Sequence, residues 1–168
     1  MKKAAKEGIK LNLGCGYKQK KNYLNIDISP DCNPDKVWDL ENKGLAFLPD
    51  NCAEEIYSSH FLEHIHPEKY HAFLKEMYRV SKHGALWILD LPFDNPMERT
   101  NPLHFRTYTY DSFYGFEPGS RNNYLGIWLK TRHRRTPKII KAFFYTFPYI
   151  KKQVELKYEV VKPKELKG

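Results

Sequence analysis

Ile9-Lys10-Leu11-Asn12-Leu13-Gly14-Cys15-Gly16 passes through the short link Tyr17 to Asn22 into Tyr23-Leu24-Asn25-Ile26-Asp27. Ile9, Leu11 and Leu13 alternate with polar residues and predict a short strand. Tyr23 to Asp27 predicts a second strand, ending on a carboxylate. Between them, Gly14 and Gly16 let the backbone approach a ligand, because neither carries a Cβ. An acid at the end of a second strand can accept from both hydroxyls of a ribose. Strand, glycine turn, strand, terminal acid is how an α/β sheet builds a nucleotide-type site. A plain tight turn is the competing reading, since paired glycines are common. The link is shorter than the roughly 10–12 residues of a crossover with its helix. The first helix is therefore expected to shrink to a turn.

Outward from this stretch, Lys36-Val37-Trp38-Asp39-Leu40 reads as a third strand ending in an acid, and Glu54 to Ser58 as a fourth. Pro67 to Val80 is the clearest helix. Pro67 and Glu68 suit its first turn. Tyr70, Phe73, Leu74, Met77 and Tyr78 recur at helical spacing as a core face. Gly84 is expected to supply its left-handed stop. Ala85 to Leu91 is a near-continuous apolar fifth strand, as in a sheet covered on both faces. Residues 92–125 hold four prolines and eight aromatics and are expected to form a lid at the carboxyl ends of the strands. Leu125 to Thr131 and Val154 to Val161 predict two further strands.

At 168 residues and 41% apolar, the chain is long and apolar enough for one folded domain. We read residues 1–168 as that domain, with 92–125 as lid and 126–168 as C-terminal strands plus a basic-aromatic segment. The net charge of +8 points to an anionic partner or to simple solubility. Seven of the 12 residues from Lys130 to Lys141 are Lys, Arg or His, so the charge is concentrated late in the chain. Cys15, Cys32 and Cys52 are far apart, odd in number and without a C-x-x-C pair, which argues against a disulfide framework or zinc knuckle. The amino terminus lacks a signal-peptide h-region, and no apolar run reaches the ~20 residues of a membrane span. These features fit a cytoplasmic protein.

Taken in order, Leu11-Asn12-Leu13-Gly14-Cys15-Gly16, Asn25-Ile26-Asp27, Trp38-Asp39-Leu40, Ile56 to His64 and Glu76 to Gly84 resemble the class I S-adenosylmethionine-dependent methyltransferases. The resemblance is closest to small methyltransferase-domain proteins with an LNLGCG opening, and covers roughly residues 9–115. It implies a Rossmann-like, mostly parallel seven-stranded sheet with one antiparallel strand and S-adenosyl-L-methionine as cofactor. It also implies roles. Gly14, Cys15 and Gly16 would pack on the methionine part, and Asn12 would bond its ammonium or orient the turn. Asp27 would take the ribose hydroxyls, and Ile28 would pack on adenine. Asp39 would accept from the adenine amino group while Leu40 donates from its backbone. Ser58, Ser59 and His60 would line the methionine side. Two departures are the missing third glycine of the usual loop and the lost first helix. That loss uncovers one face of the sheet, which the lid is expected to cover.

His60-Phe61-Leu62-Glu63-His64 also matches H-x-x-E-H, a zinc-hydrolase pattern that would put both histidines on one helical face. It explains one pentapeptide where the methyltransferase reading explains five segments, so no metal is assigned from the sequence. Asn101-Pro102-Leu103-His104-Phe105-Arg106 resembles a D-P-x-H-x-R segment of the small methyltransferases, with Asn101 in place of Asp. From it, His104 is expected to act as base or substrate orienter. Arg106 is expected to pair with an anionic substrate group. The alternative is that both only fasten the lid.

The run Ile139, Ile140, Phe143, Phe144, Tyr145, Phe147, Tyr149 and Ile150 lies between basic clusters. It suits a membrane interface near a lipid-linked substrate, an RNA surface, or a helix packed on the sheet or on a second subunit. The expected function is methyl transfer to a small or glycan-like acceptor, at oxygen. The alternative is a non-catalytic cofactor- or RNA-binding protein on the same fold.

Overall fold

The computed structural model describes residues 8–121, 123–132 and 153–163. The basic and aromatic stretch from 133 to 152, on which the membrane and RNA expectations rest, lies outside them, as do residues 1–7. Seven strands form one sheet: β1 (Ile9–Leu13), β2 (Leu24–Asp27), β3 (Lys36–Val37), β4 (Ala53–Ser59), β5 (Ser81–Pro92), β6 (Leu129–Thr131) and β7 (Gln153–Val160). Their order is β3-β2-β1-β4-β5-β7-β6. β1 to β5 run parallel, and β7 is antiparallel to both of its neighbours. This is the Rossmann-like class I methyltransferase sheet that the sequence implied. The strand order reverses between β1 and β4, and ligands in open α/β sheets bind beyond the carboxyl ends at such a point.

The long helix, α2 (Pro67–Val80), forms as expected, with Pro67 in its first turn and His66 Nδ1 accepting from Glu68 N. Phe73, Leu74, Met77 and Val80 are its buried face, each stabilising by roughly 1.5–3 kcal/mol. Its end differs from expectation. Ser81, in an extended conformation, is the cap, and the chain passes straight into β5. Gly84, at φ +78, sits inside β5, where pairing with β4 shifts from Ala53–Ser81 to Glu55–Leu86. It serves a bulge, not a helix stop.

The sheet has two unlike faces. Leu11, Ile56, Trp87 and Tyr158 stand in one register row, with Leu13, Leu89 and Leu156 beside them, and all are buried. The opposite face carries Lys10, Glu55 and Glu159 in one row and Asn12, Tyr57, Ile88 and Lys157 in the next. Leu86 on that face is 38% exposed. β5 therefore alternates buried and open positions, and is not covered on both sides as its apolar run suggested. The lid does not cover the open face. Its buried aromatics Tyr108 and Phe113 stack on each other, and Phe113 packs 5.4 Å from the Tyr158 ring, on the face already occupied by α2. The shortened link between β1 and β2 forms only turns. The sequence compensates for the lost helix by making that face polar.

Two smaller differences concern the strands. The third is only Lys36–Val37, because Asp39 leaves it to cap a short helix, α1 (Leu40–Lys43). The sixth begins at Leu129, since the chain turns at Tyr124 and Leu125 and residues 126–128 have no regular structure before it joins the sheet.

Candidate functional site

The turn after β1 is built by backbone that a side chain would disturb. Gly14 and Gly16 have φ of +63° and +48°, a region costly for residues with a Cβ. Their surroundings differ. A Cβ on Gly14 would lie 2.5 Å from Phe61 Cγ, whereas one on Gly16 would meet nothing within 4 Å. The close approach at Gly14 is thus to Phe61, and the open side of the turn is at Gly16. Gly16 N donates to Asp27 Oδ2 at 2.8 Å, and Ser29 N donates to Oδ1 at 3.0 Å. Two main-chain donors hold the carboxylate at the end of β2, and each oxygen keeps acceptor capacity.

Asn12 points into the turn. Its Nδ2 donates to Lys18 O and to Asn25 Oδ1, and it is 1% exposed. Of the two roles expected for it, orienting the turn is the one these bonds serve. Cys15 N donates to Ile26 O, and its thiol is buried. Burial, with Asp27 nearby, pushes that thiol up to about 11, so it is not a nucleophile near neutral pH.

Beyond the strand ends lies a pocket of about 260 Å³. Of the residues named from the sequence, Gly14, Asp27, Ile28, Asp39 and Leu40 line it. Ile28 is 64% exposed at its mouth, and Leu40 is buried. The volume is below the roughly 300–1,000 Å³ usual for ligand sites and suits part of a nucleoside ligand. Asp39 accepts from Asn42 Nδ2 at 2.7 Å and from Asn42 N at 3.0 Å. Those bonds, the side-chain one first, hold its carboxyl below the usual range.

Trp38, Glu41, Asn42, Phe61 and Ile65 also line the pocket and were not picked out from the sequence, and His64, which lines it too, was named only for the H-x-x-E-H pattern. Trp38, Glu41 and Asn42 flank Asp39 and Leu40, and the others lie in the segment after β4, where the H-x-x-E-H pattern drew attention to the wrong spacing. Ser58, Ser59 and His60 stand apart from the pocket wall. Ser58 is fully buried, Ser59 Oγ bonds Asp90 Oδ2, and His60 lies between Glu63 and Gln153. Asn12, Cys15 and Gly16 likewise are not in the wall.

His60 and His64 do not share a helical face. Leu62–His64 is a single 3-10 turn, and His60 precedes it at φ +51. The zinc-hydrolase geometry is therefore not formed. Tertiary structure makes a different pairing. The rings of His64 and His104 meet edge to face at 4.9 Å. The lid thereby delivers His104 to a residue of the pocket wall. Arg106 turns inward. Its Nη1 donates to Leu62 O and Ile65 O, both at 3.0 Å, and its guanidinium lies 3.6 Å over the Tyr70 ring. In this arrangement it fastens the 62–65 turn to α2 and the lid.

No family model matches the chain, and no curated protein matched it. Solved structures do resemble it. One is an S-adenosylmethionine-dependent methyltransferase from Archaeoglobus fulgidus, with TM-score 0.60 and 16% identity over 93% of this chain and 88% of that one. Another is the 1,6-didemethyltoxoflavin-N1-methyltransferase of Burkholderia thailandensis, solved with S-adenosylhomocysteine, with TM-score 0.56 and 8% identity over 92% and 71%. Identities this low establish a shared fold, that of the class I methyltransferases.

Proposed function

We propose that the protein binds S-adenosyl-L-methionine and transfers its methyl group to an oxygen of a small or glycan-like acceptor. The observation that carries this reading is Asp27. Its carboxylate is fixed by Gly16 N and Ser29 N at the mouth of a pocket walled by Ile28 and Leu40. That is an acceptor pair for ribose hydroxyls beside apolar surface for a base. The Asp39 carboxylate on the same wall is a partner for the adenine amino group. Gly16, open on its outer side, would face the methionine half.

Methyl transfer from a sulfonium is an in-line displacement, so the protein contributes chiefly alignment and exclusion of water. His104, resting on His64 at the pocket wall, is the residue proposed to face the acceptor. Arg106 positions it indirectly, by holding the 62–65 turn and the lid together.

The test is calorimetric titration with S-adenosylhomocysteine, beside an Asp27→Ala variant. We expect micromolar binding by the wild type and at least a hundredfold loss in the variant, because two hydrogen bonds to a charged acceptor are worth about 1.5–3 kcal/mol each. A folded wild type that does not bind overturns the reading.

A further inference from the structure

Glu63, His64 and His104 form a cluster that the pocket reading does not explain. One donor atom from each lies within 4.8 Å of the other two. Glu63 is fully buried, and its Oε2 has no hydrogen-bond partner. Its Oε1 lies 3.2 Å from His60 Nδ1, which accounts for only one of the two oxygens. An unpartnered carboxylate oxygen in the interior is costly to keep, because it has lost its water and gained nothing in return. His104 is held differently, by charge and by Asn101. Its side chain is 10% exposed, and its Nδ1 is buried without a hydrogen bond, although Glu98 Oε2 is 3.0 Å away.

His64 is already oriented as a ligand would be. Its Nδ1 lies 2.8 Å from the carbonyl oxygen of Leu103. A carbonyl only accepts, so in the neutral ring Nδ1 carries the proton and Nε2 keeps its lone pair. A second hydrogen bond that fixes the tautomer in this way is the usual setting of a metal-bound histidine. His104 Nε2 takes a hydrogen bond from Asn101 Nδ2 at 3.2 Å, since Asn101 Oδ1 is engaged by Leu103 N. His104 must exchange that partner or its Nδ1 proton to coordinate.

We propose that Glu63, His64 and His104 bind one divalent transition-metal ion of the zinc type. Two imidazoles and one carboxylate suit such an ion. Donors around zinc stand about 3.4 Å apart for bonds of about 2.1 Å. Donor atoms within 4.8 Å of one another therefore need to draw together by only about 1.4 Å to close on such an ion. Glu98 adds negative charge beside the pair, which favours a cation. Three protein ligands leave coordination positions open, and His64 belongs to the pocket wall. Resting on the proposed methyl transfer, we assign those positions to an acceptor hydroxyl. The ion would lower its pKa, and the proton would pass to water.

The experiment is calorimetric titration of chelator-stripped protein with zinc chloride, repeated with cobalt(II) while following its visible absorption. We expect one ion per chain with micromolar or tighter affinity. His64→Ala and His104→Ala should each weaken it at least tenfold. His71→Ala, an exposed histidine on α2, should leave it unchanged. Circular dichroism checks each fold, and the exposed His64 keeps the test valid if His104→Ala misfolds. No binding, or equal binding by wild type and His64→Ala, overturns the site. S-adenosylhomocysteine binding on the same samples separates the two proposals. Zinc without the nucleoside overturns methyl transfer and sustains the metal. The nucleoside without zinc overturns the metal alone.

Discussion

Gly14 and Gly16 look alike in the sequence, and both take left-handed backbone, yet the structure assigns them different tasks. At Gly14 an added Cβ meets the Phe61 ring at 2.5 Å and must also sit at φ +63°. At Gly16 only the backbone penalty remains. Gly14→Ala is therefore expected to cost about 3 kcal/mol or more, through strain and displacement of a buried ring. Gly16→Ala should cost only about 1–2 kcal/mol. Urea unfolding of the two variants checks this, and equal losses would contradict it. Phe61 lines the pocket, so Gly14→Ala should also weaken nucleoside binding. The glycine pair was legible in the sequence. What each glycine avoids was not, because Phe61 reaches Gly14 only after β4 has paired beside β1.

At the scale of elements, α2 does more than bury an apolar face. Arg79 in its last turn donates from Nε and Nη2 to Glu76 and from Nη1 to Asp50 Oδ1 at 2.6 Å. It also donates to Leu48 O and Leu45 O. Glu76 in turn accepts from Leu45 N. One guanidinium thus ties the segment after α1 to α2, and so supports the wall that carries Asp39 and Leu40. The bonds from Arg79, ahead of the effect of burial, hold the Glu76 carboxyl below its usual range. A carboxyl depressed in the folded state stabilises above its unfolded pKa of about 4.3. That contribution is lost as pH falls through the folded value. Glu76→Gln should therefore cost about 1–2 kcal/mol at pH 7. The gap to wild type should narrow steadily below about pH 4. Urea midpoints at pH 7, 5 and 3 test this, and a gap that stays constant would refute it.

For the whole molecule, the uneven sheet decides where a ligand can act. One face is packed by α2 and the lid, the other is polar, and the pocket lies at the reversal of strand order. A ligand seated there touches the turn after β1, the end of β2 and the segments after β3 and β4, so binding should stabilise the whole domain. With free S-adenosylhomocysteine at 100 times its Kd, the gain is about 2.7 kcal/mol. A domain of this size should then melt about 5–10 °C higher. Differential scanning calorimetry with and without the nucleoside checks the shift, and Asp27→Ala should abolish it. Among the described residues, no helix is long and apolar enough to cross a membrane.

The sequence by itself determined the long helix and the approximate places of the strands, because alternation and helical spacing are local consequences of which residues must be buried, while the order and direction of the sheet were implied by the resemblance alone. It also singled out Gly14 and Asp27, since a glycine turn and an acid at the ends of successive strands are local features, whereas Ile28, Asp39 and Leu40 were implied only by the resemblance to the class I methyltransferases. Only the tertiary structure decided that Asp39 caps a helix and that Gly84 serves a bulge. Only there does the lid share the face of α2, and only there do Glu63 and His64 meet His104. Those outcomes depend on contacts between residues up to some forty positions apart. Such contacts come from packing and from the pairing of buried polar groups, which local periodicity does not encode.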